Sequence, residues 1–216
     1  MVQLEHKGKD MVMGRSVSAS FHYHFDVVYL LTTNRTERAI NECKRVGIEL
    51  VVCPSILHTD KIISFNMSMI SILKNFIESG FDTCLILEDD VMFQNESTAF
   101  LGGWDMVYLG GNYLPHGGNK TPRYIDKTTR RIYNAWTTHA VGYTHKAARW
   151  IVDNYDFSVI FDDWLNNNIH RFKVHATVPM VAIQQPGESS IWERAVDYSD
   201  IFARSNDYLT HITHNE

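Results

Sequence analysis

Cysteine is scarce in this chain: Cys43, Cys53 and Cys84 are the only three among 216 residues. An odd count without metal-type spacing excludes a disulfide framework and a Cys-based zinc site, and two of the three lie in apolar runs, as reduced thiols filling a core would. Long hydrophobic runs are missing as well. None approaches the roughly 20 residues a membrane helix needs, and no signal-peptide apolar stretch follows the N-terminus, so a cytoplasmic setting is expected. Positive charge is not in excess: the formal net charge is -5 and the pI about 6.1. That excludes a global cationic field drawing the protein onto nucleic acid or anionic lipid and leaves only local patches. A Gly-rich phosphate loop is absent too. "LLTTNRTE", residues 30 to 37, has neither a Walker pattern nor an early nucleophilic Asp, which counts against a nucleotidyltransferase or phosphohydrolase.

What is present is a composition able to bury one sizeable core, 44% hydrophobic and 12% aromatic. Residues 1–24 are polar and irregular and are expected to form a flexible extension, with His22 and His24 a strand edge or tag-like segment rather than a metal site. Residues 25–216 are expected to form a single domain. Sequons at Asn34, Asn66, Asn95 and Asn119, lacking a secretory signal, are expected to be chance matches.

From Phe25 the pattern is regular. "FDVVYLL" reads as a buried strand; Ala39, Ile40, Cys43 and Val46 share one face of a helix stopped by Gly47; "IELVVC" is a second strand ended by Pro54. Residues 64–79 form a second helix closed by Gly80, and "TCLILE" is a third strand. "DMVYLGG", "FSVIF" and "VPMVAIQ" read as further strands and "THKAARWIVDN" as a helix, with longer loops chiefly at 111–131. Strands alternating with helices predict an α/β fold with a mainly parallel central sheet covered on both faces.

The third strand ends in three consecutive acids, Glu88, Asp89 and Asp90. In an open parallel sheet, ligands sit at the carboxyl ends of the strands. Adjacent carboxylates repel one another there unless a cation neutralises them, and a hard ion such as Mn²⁺ or Mg²⁺, bridging to a diphosphate, suits an all-oxygen set. The plainer reading is a solvated acidic turn that caps nearby amides.

"DTCLILEDDVMF" resembles the acidic segment of family 25 glycosyltransferases, the group of lipopolysaccharide-type and collagen galactosyltransferases. "VYLLTTNRTER", "SFNMSMISILKNF", "WDMVYLGG", "WTTHAVGYTHKAARWIVDN", "FDDWL" and "QQPGESSI" resemble further segments of that family in the same order, over roughly residues 26 to 192. Departures are Ser64-Phe65 and Ser68-Met69, where the family carries Gly-Cys and Ser-His pairs, and Leu31, where it has an Asn. The resemblance implies a GT-A-like nucleotide-diphospho-sugar transferase fold and a metal-dependent transfer of a hexose, from a UDP-sugar, to a hydroxyl of a glycan or lipopolysaccharide-type acceptor.

It also implies roles for particular residues. Asp90 and Glu88 would hold Mn²⁺ or Mg²⁺; Thr32, Arg35, Arg38, Asn66 and Asp89 would face the donor. Inverting transfer needs a base for the acceptor hydroxyl. Asp163 and Asp162 are the candidates, Asp163 slightly favoured, against a plain helix N-cap. Asn112, in a Gly-Gly-Asn turn whose glycines would let backbone approach a ligand, falls on the acceptor side. With it come Lys127, Arg130 and Arg131 of the basic stretch "KTPRYIDKTTRR", which also holds Lys120 and Arg123. That stretch suits an anionic acceptor, a phosphorylated lipopolysaccharide core or, alternatively, the modified bases of a nucleic acid. Outside this class stand a metal-dependent nucleotidyltransferase or phosphohydrolase and a degenerate nucleotide-sugar-binding module.

Overall fold

The computed structural model describes residues 25–33, 36–94, 102–115, 120–189 and 194–213. The expected extension with His22 and His24, the sequons at Asn34, Asn95 and Asn119, and Arg35 all lie outside the described residues.

The first half follows the alternation read from the sequence. Strand β1 (Val27–Thr32), helix α1 (Thr36–Arg45), strand β2 (Val51–Pro54), helix α2 (Lys61–Ser79) and strand β3 (Thr83–Glu88) come in that order. β1 pairs in parallel with β2 on one side and β3 on the other. Pro54 is tolerated because β2 is an edge strand. Asp60 caps α2 by accepting from the amides of Ile62 and Ile63, so the helix starts three residues before the expected Ser64; Gly80, at φ 75°, ends it.

Next come β4 (Val91–Phe93), β5 (Met106–Tyr108), β6 (Arg123–Asp126), β7 (Thr129–Arg131), β8 (Ala140–Thr144), α3 (His145–Asn154), α4 (Phe161–Asn168) and β9 (Val174–Thr177). The chain closes with β10 (Ala182–Gln184), a hairpin of β11 (Gly187–Ser189) and β12 (Arg194–Val196), and α5 (Ser199–Thr210). The central sheet has eight strands in the order β2-β1-β3-β8-β5-β9-β7-β6. Following the pairings across it, β2, β1, β3, β5, β9 and β6 run one way and β8 and β7 the other. β3 is interior, and the carboxyl ends of β1, β3, β5 and β9 share one edge.

Both faces are covered, as the period-2 pattern requires. Tyr29, Leu31, Cys84 and Ile86 face a core completed by α2, α3 and α4, including Phe76, Ile151 and Trp164. Leu30, Leu85 and Leu87 face the opposite core, with Ala39 and Cys43 of α1 and Ala182 beneath them. Cys43 and Cys84 are buried and all three thiols are free, so the expected filler role holds for those two. Burial pushes the Cys43 thiol up to about 12.

Several expectations need correction. "FSVIF" is no strand: 156–160 is a turn and α4 begins at Phe161. Its backbone is satisfied by side chains instead of a ladder, the Val159 carbonyl accepting from Tyr155 Oη at 2.7 Å and Asn66 Nδ2 at 3.0 Å. Residues 123–131 are a hairpin that adds β6 and β7 to the sheet, turning on Asp126, whose carboxylate accepts from the Thr128 amide. Of "VPMVAIQ" only Ala182–Gln184 is a strand; it pairs with β4 outside the main sheet. β8 and α5 were not foreseen, although α5 carries its buried Phe202, Ser205 and Leu209 at helical spacing.

Candidate functional site

The three consecutive acids leave β3 at the shared edge and diverge. Glu88 turns into a cleft, where its Oε1 lies 2.9 Å from Thr138 Oγ1. Asp89 turns back to the loop after β1, its Oδ2 accepting from the Thr33 amide at 2.8 Å and from the Thr33 hydroxyl. Asp90 faces β10, its Oδ2 accepting from Gln184 Nε2 at 2.6 Å. Asp89 and Asp90 are almost fully buried. They therefore tie β3 to its neighbours, and the turn they form is buried where the plainer reading had it solvated.

A fourth carboxylate joins Glu88 from elsewhere in the chain. Asp162, in the first turn of α4, places Oδ1 2.8 Å from the same Thr138 hydroxyl and receives the Thr137 amide. One hydroxyl carries one proton, so Thr138 donates to one of the two carboxylates at a time. Burial pushes the Glu88 carboxyl well above its ordinary range, and the Asp90 and Asp162 charges push it further. Burial raises Asp162 to about 6, helped by Asp163 and Asp90 and opposed by the Thr138 and Thr137 hydrogen bonds. Neither Asp162 nor Asp163 is the N-cap of α4; Ile160 holds that position without a side-chain bond.

The cleft has a volume of about 230 Å³ and is lined by Glu88, Asp162, Asp163, Asn112, Thr137, Thr138 and Gln184, with Phe65, Trp136, Ile160 and Tyr198 supplying apolar wall. Asp163 is exposed at its rim, whereas Asp162 is partly buried. Thr137 has φ of 70°, which no other described residue except glycine shares, and its buried hydroxyl has no hydrogen-bond partner among the described residues. A β-branched residue in the left-handed region costs about 1–3 kcal/mol.

Carboxylates and amides alternating with aromatic rings form a surface that binds hydroxyl groups and packs against C–H faces. The volume falls below the ~300–1,000 Å³ of a drug-sized site and is of the order of one sugar ring.

The other sequence candidates are distributed as follows. Thr32 is buried at the end of β1, and its carbonyl accepts from the Ser55 amide. Arg38 lines a separate groove of about 630 Å³ with Glu42, Arg45, Met92 and Gln185. Gln184 and Gln185 thus face two neighbouring cavities from adjacent positions. Asn66 is fully buried and hydrogen-bonds the backbone at Val159 and Phe161, out of a ligand's reach. Asn112 does reach the cleft, held by paired backbone bonds with Trp136. The glycines before it serve another purpose: a Cβ on Gly110 would sit 1.6 Å from the Ala182 carbonyl oxygen, so the close approach is to β10 and not to a ligand.

The basic stretch is divided. Arg130 is buried; its guanidinium donates to the carbonyls of Leu209, Asp126 and Thr129 and stacks 4.7 Å from the Tyr124 ring. Arg131 donates to the Phe172 carbonyl. Lys127 is exposed at the hairpin turn, on the same sheet edge as Glu88 but five strand positions away, at ~4.8 Å each. Lys120 and Arg123 line a groove of about 490 Å³ with Tyr133.

Among the described residues no three His, Cys, Asp or Glu side chains converge to hold a metal ion. The donor set nevertheless fits a hard cation in one respect. Glu88 and Asp90 lie close enough for the Asp90 charge to raise Glu88, and Mg²⁺-type ions are commonly held by only one or two carboxylates plus substrate phosphate oxygens.

Sequence reasoning missed Thr138, Gln184, Trp136 and Tyr198. Trp136 and Thr138 carried a signal through their place in the "WTTHAVGY" segment, and Gln184 through its place at the start of "QQPGESSI".

No family model matches the chain, so the resemblance to family 25 has no family-level support. No curated protein matches either. Solved structures do, 99 chains in all. A protein from STIV is 14% identical with a TM-score of 0.47, over 79% of this chain and 92% of that one. A glycosyltransferase involved in glycosylation of the major capsid of PBCV-1 is 12% identical with a TM-score of 0.40, over 68% and 76%. A Drosophila β-1,4-galactosyltransferase 7 mutant, in complex with manganese, UDP-Gal and xylobiose, is 9% identical with a TM-score of 0.41, over 88% and 81%. Likenesses this low carry no substrate, metal or acceptor over to this chain. Among the described residues no helix is long and apolar enough to cross a membrane.

Proposed function

We propose that this chain is a glycosyltransferase that moves a hexose from a nucleotide diphospho-sugar, UDP-linked, to a hydroxyl acceptor. The observation that carries the reading is the meeting of Glu88 and Asp162 across Thr138, in a cleft of sugar-ring size at the carboxyl edge of the sheet. Those two acids belong to "DTCLILEDDVMF" and "FDDWL", two of the seven segments on which the resemblance to family 25 rests.

Asp162 is the general base in this reading. Its position inside the cleft, against the exposed rim position of Asp163, favours it over its neighbour. A carboxyl raised to about 6 is matched to taking a hydroxyl proton near neutrality. Glu88 and Asp90 would hold Mn²⁺ or Mg²⁺, exchanging their bonds to Thr138 and Gln184 for the ion. When bound, the ion supplies Lewis acidity at the donor diphosphate. Gln184 and Asn112 bind and orient sugar hydroxyls, and Trp136 and Tyr198 exclude water from the ring faces. The cation-lined groove of Lys120 and Arg123 beside Tyr133 supports an anionic acceptor, with a phosphorylated glycan preferred to nucleic acid because the chain is acidic overall.

The testing experiment is a thermal-shift screen of UDP, GDP, CDP and their sugar conjugates, with and without Mn²⁺, on wild type, Glu88→Gln and Asp90→Asn. A ligand at 100 times its Kd adds about 2.7 kcal/mol of stability. Metal-dependent stabilisation by one nucleotide, lost in both variants, is expected. Silence across the panel, or release of pyrophosphate in place of a nucleoside diphosphate on turnover, would overturn the reading.

A further inference from the structure

We infer that the groove of Lys120, Arg123 and Tyr133 is an exosite, a second contact that holds phosphate or carboxylate groups of a polyanionic glycan acceptor at a distance from the hydroxyl that reacts. The inference deepens the transferase reading and rests on it.

The sheet separates this groove from the cleft in both directions. Ile86 and Ala176 face the core under α2, α3 and α4, and Glu88, two residues after Ile86, lies on that side. Arg130 pairs with Ala176 and shares its face, so Arg131 and its cross-strand neighbours Arg123 and His175 lie on the other. Arg123 begins β6, which runs in the same direction as β3, so the groove is toward the amino edge of the sheet and the cleft is at the carboxyl edge. Laterally β6 is three strand positions from β5 and five from β3, about 14 to 24 Å at ~4.8 Å per strand. A sugar ring seated against Glu88 and Asp162 does not reach that far. An anion held in the groove therefore belongs to a more distant part of the acceptor.

The groove is suited to negative charge. Lys120 and Arg123 are exposed, and no acid is among the residues that line its volume of about 490 Å³. Arg123 stands directly opposite Arg131 across the hairpin, and a like-charge pair in that register weakens a sheet unless an anion offsets it. The described residues do not supply one. None of Lys120, Arg123 and Arg131 has an ion pair among them, Arg131 donates to the Phe172 carbonyl, and the hairpin's own Asp126 carboxylate accepts from the amide and hydroxyl of Thr128. Lys120 Nζ and the Arg131 guanidinium each lie 5.6 Å from the centre of the Tyr133 ring, which keeps both cations at the groove wall. A ring engaged in this way is not a free platform for a base, so the groove favours a charged glycan over single-stranded nucleic acid. On a chain of net charge -5 the attraction is local to this face.

The test measures binding of polygalacturonate, phosphomannan, neutral dextran and oligo-dT by fluorescence anisotropy at about 50 and 200 mM salt, with stabilisation by UDP-sugars in Mn²⁺ read on the same samples. Wild type is compared with Lys120→Gln, Arg123→Gln and Tyr133→Leu, and with Lys127→Gln, an equal loss of charge outside the groove. Wild type should bind one or both charged glycans and not dextran, and the preference between the two identifies carboxylate or phosphate as the group held. Lys120→Gln and Arg123→Gln should each weaken that binding about 3- to 10-fold. Tyr133→Leu, which changes no charge, should weaken it about 2- to 5-fold, and Lys127→Gln less than about 2-fold. The UDP-sugar response should be unchanged in all four. Equal losses for Lys127→Gln and Arg123→Gln would reduce the groove to general surface charge and overturn the inference, as would tighter binding of oligo-dT or no binding of either charged glycan. A wild type that binds a charged glycan but answers to no UDP-sugar overturns the transferase reading instead, leaving an anion site without that reaction.

Discussion

The side-chain amide of Asn66 grips the segment that starts α4: Oδ1 accepts from the Phe161 amide at 3.0 Å and Nδ2 donates to the Val159 carbonyl at 3.0 Å. Asn66 is fully buried in α2, and the residue after Phe161 is Asp162. The position of one cleft carboxylate is thereby set from a neighbouring helix on the same face of the sheet. Asn66→Leu removes both bonds; the Val159 carbonyl keeps Tyr155 Oη, and the Phe161 amide is left unpaired, at about 1–3 kcal/mol. Urea denaturation should show a lower midpoint with unchanged slope. Asn66→Asp should not rescue, because a carboxylate cannot donate to Val159.

Thr138→Val keeps the shape and removes the hydroxyl between Glu88 and Asp162. The two carboxyls then face each other without a mediator, so turnover should fall by about 10²-fold or more, in the range of a displaced general base. Thr138→Ser should restore most of it. Steady-state kinetics on the pair checks this, and equal rates in Val and wild type would remove Thr138 from the site.

The pH dependence of stability has a defined sign at Asp162. Its folded pKa, about 6, lies above the ordinary 3.8, so the folded state holds the proton more tightly. Relative to Asp162→Asn, wild type should be most stable below about pH 4 and lose up to about 3 kcal/mol as pH rises through 6. His139 and His175, both lowered to about 4 by burial, act oppositely over an overlapping window, losing stability as pH falls. The difference between wild type and the variant, measured by denaturation from pH 4 to 8, removes the histidines and reports Asp162 together with Glu88, whose carboxyl the Asp162 charge raises.

Gly110→Ala places a Cβ against the Ala182 carbonyl with no flexible neighbour to yield. A loss of about 3 kcal/mol or more is expected. The same displacement of β10 moves Gln184, so ligand-induced stabilisation should fall with it.

Arg130 and Lys127 should separate by effect. Arg130→Met removes the guanidinium from the carbonyls of Leu209 and Asp126, of which Leu209 keeps the Ile212 amide, and should cost about 1–3 kcal/mol. Lys127→Glu, on an exposed turn, should stay within about 0.5 kcal/mol by denaturation.

Local chemistry determined much of what the sequence alone conveys. The β1-α1-β2-α2-β3 run was legible because apolar period, Gly47 and Gly80 stops and strand ends all act within a few residues. The acids at the end of β3 were legible for the same reason. The tertiary structure decided which acids meet. Glu88, Asp89 and Asp90 are consecutive, yet alternating side-chain directions and different neighbours send them to Thr138, Thr33 and Gln184. Asp162 reaches Glu88 only because "FSVIF" is held as a turn by Asn66 and Tyr155, long-range bonds that no apolar pattern encodes. Arg130 looked like surface charge and became an internal strut, because the hairpin carrying it pairs with β9 and packs under α5. A residue's type and neighbours in sequence specify what it can do; only the partners brought by the sheet order decide which of those things it does.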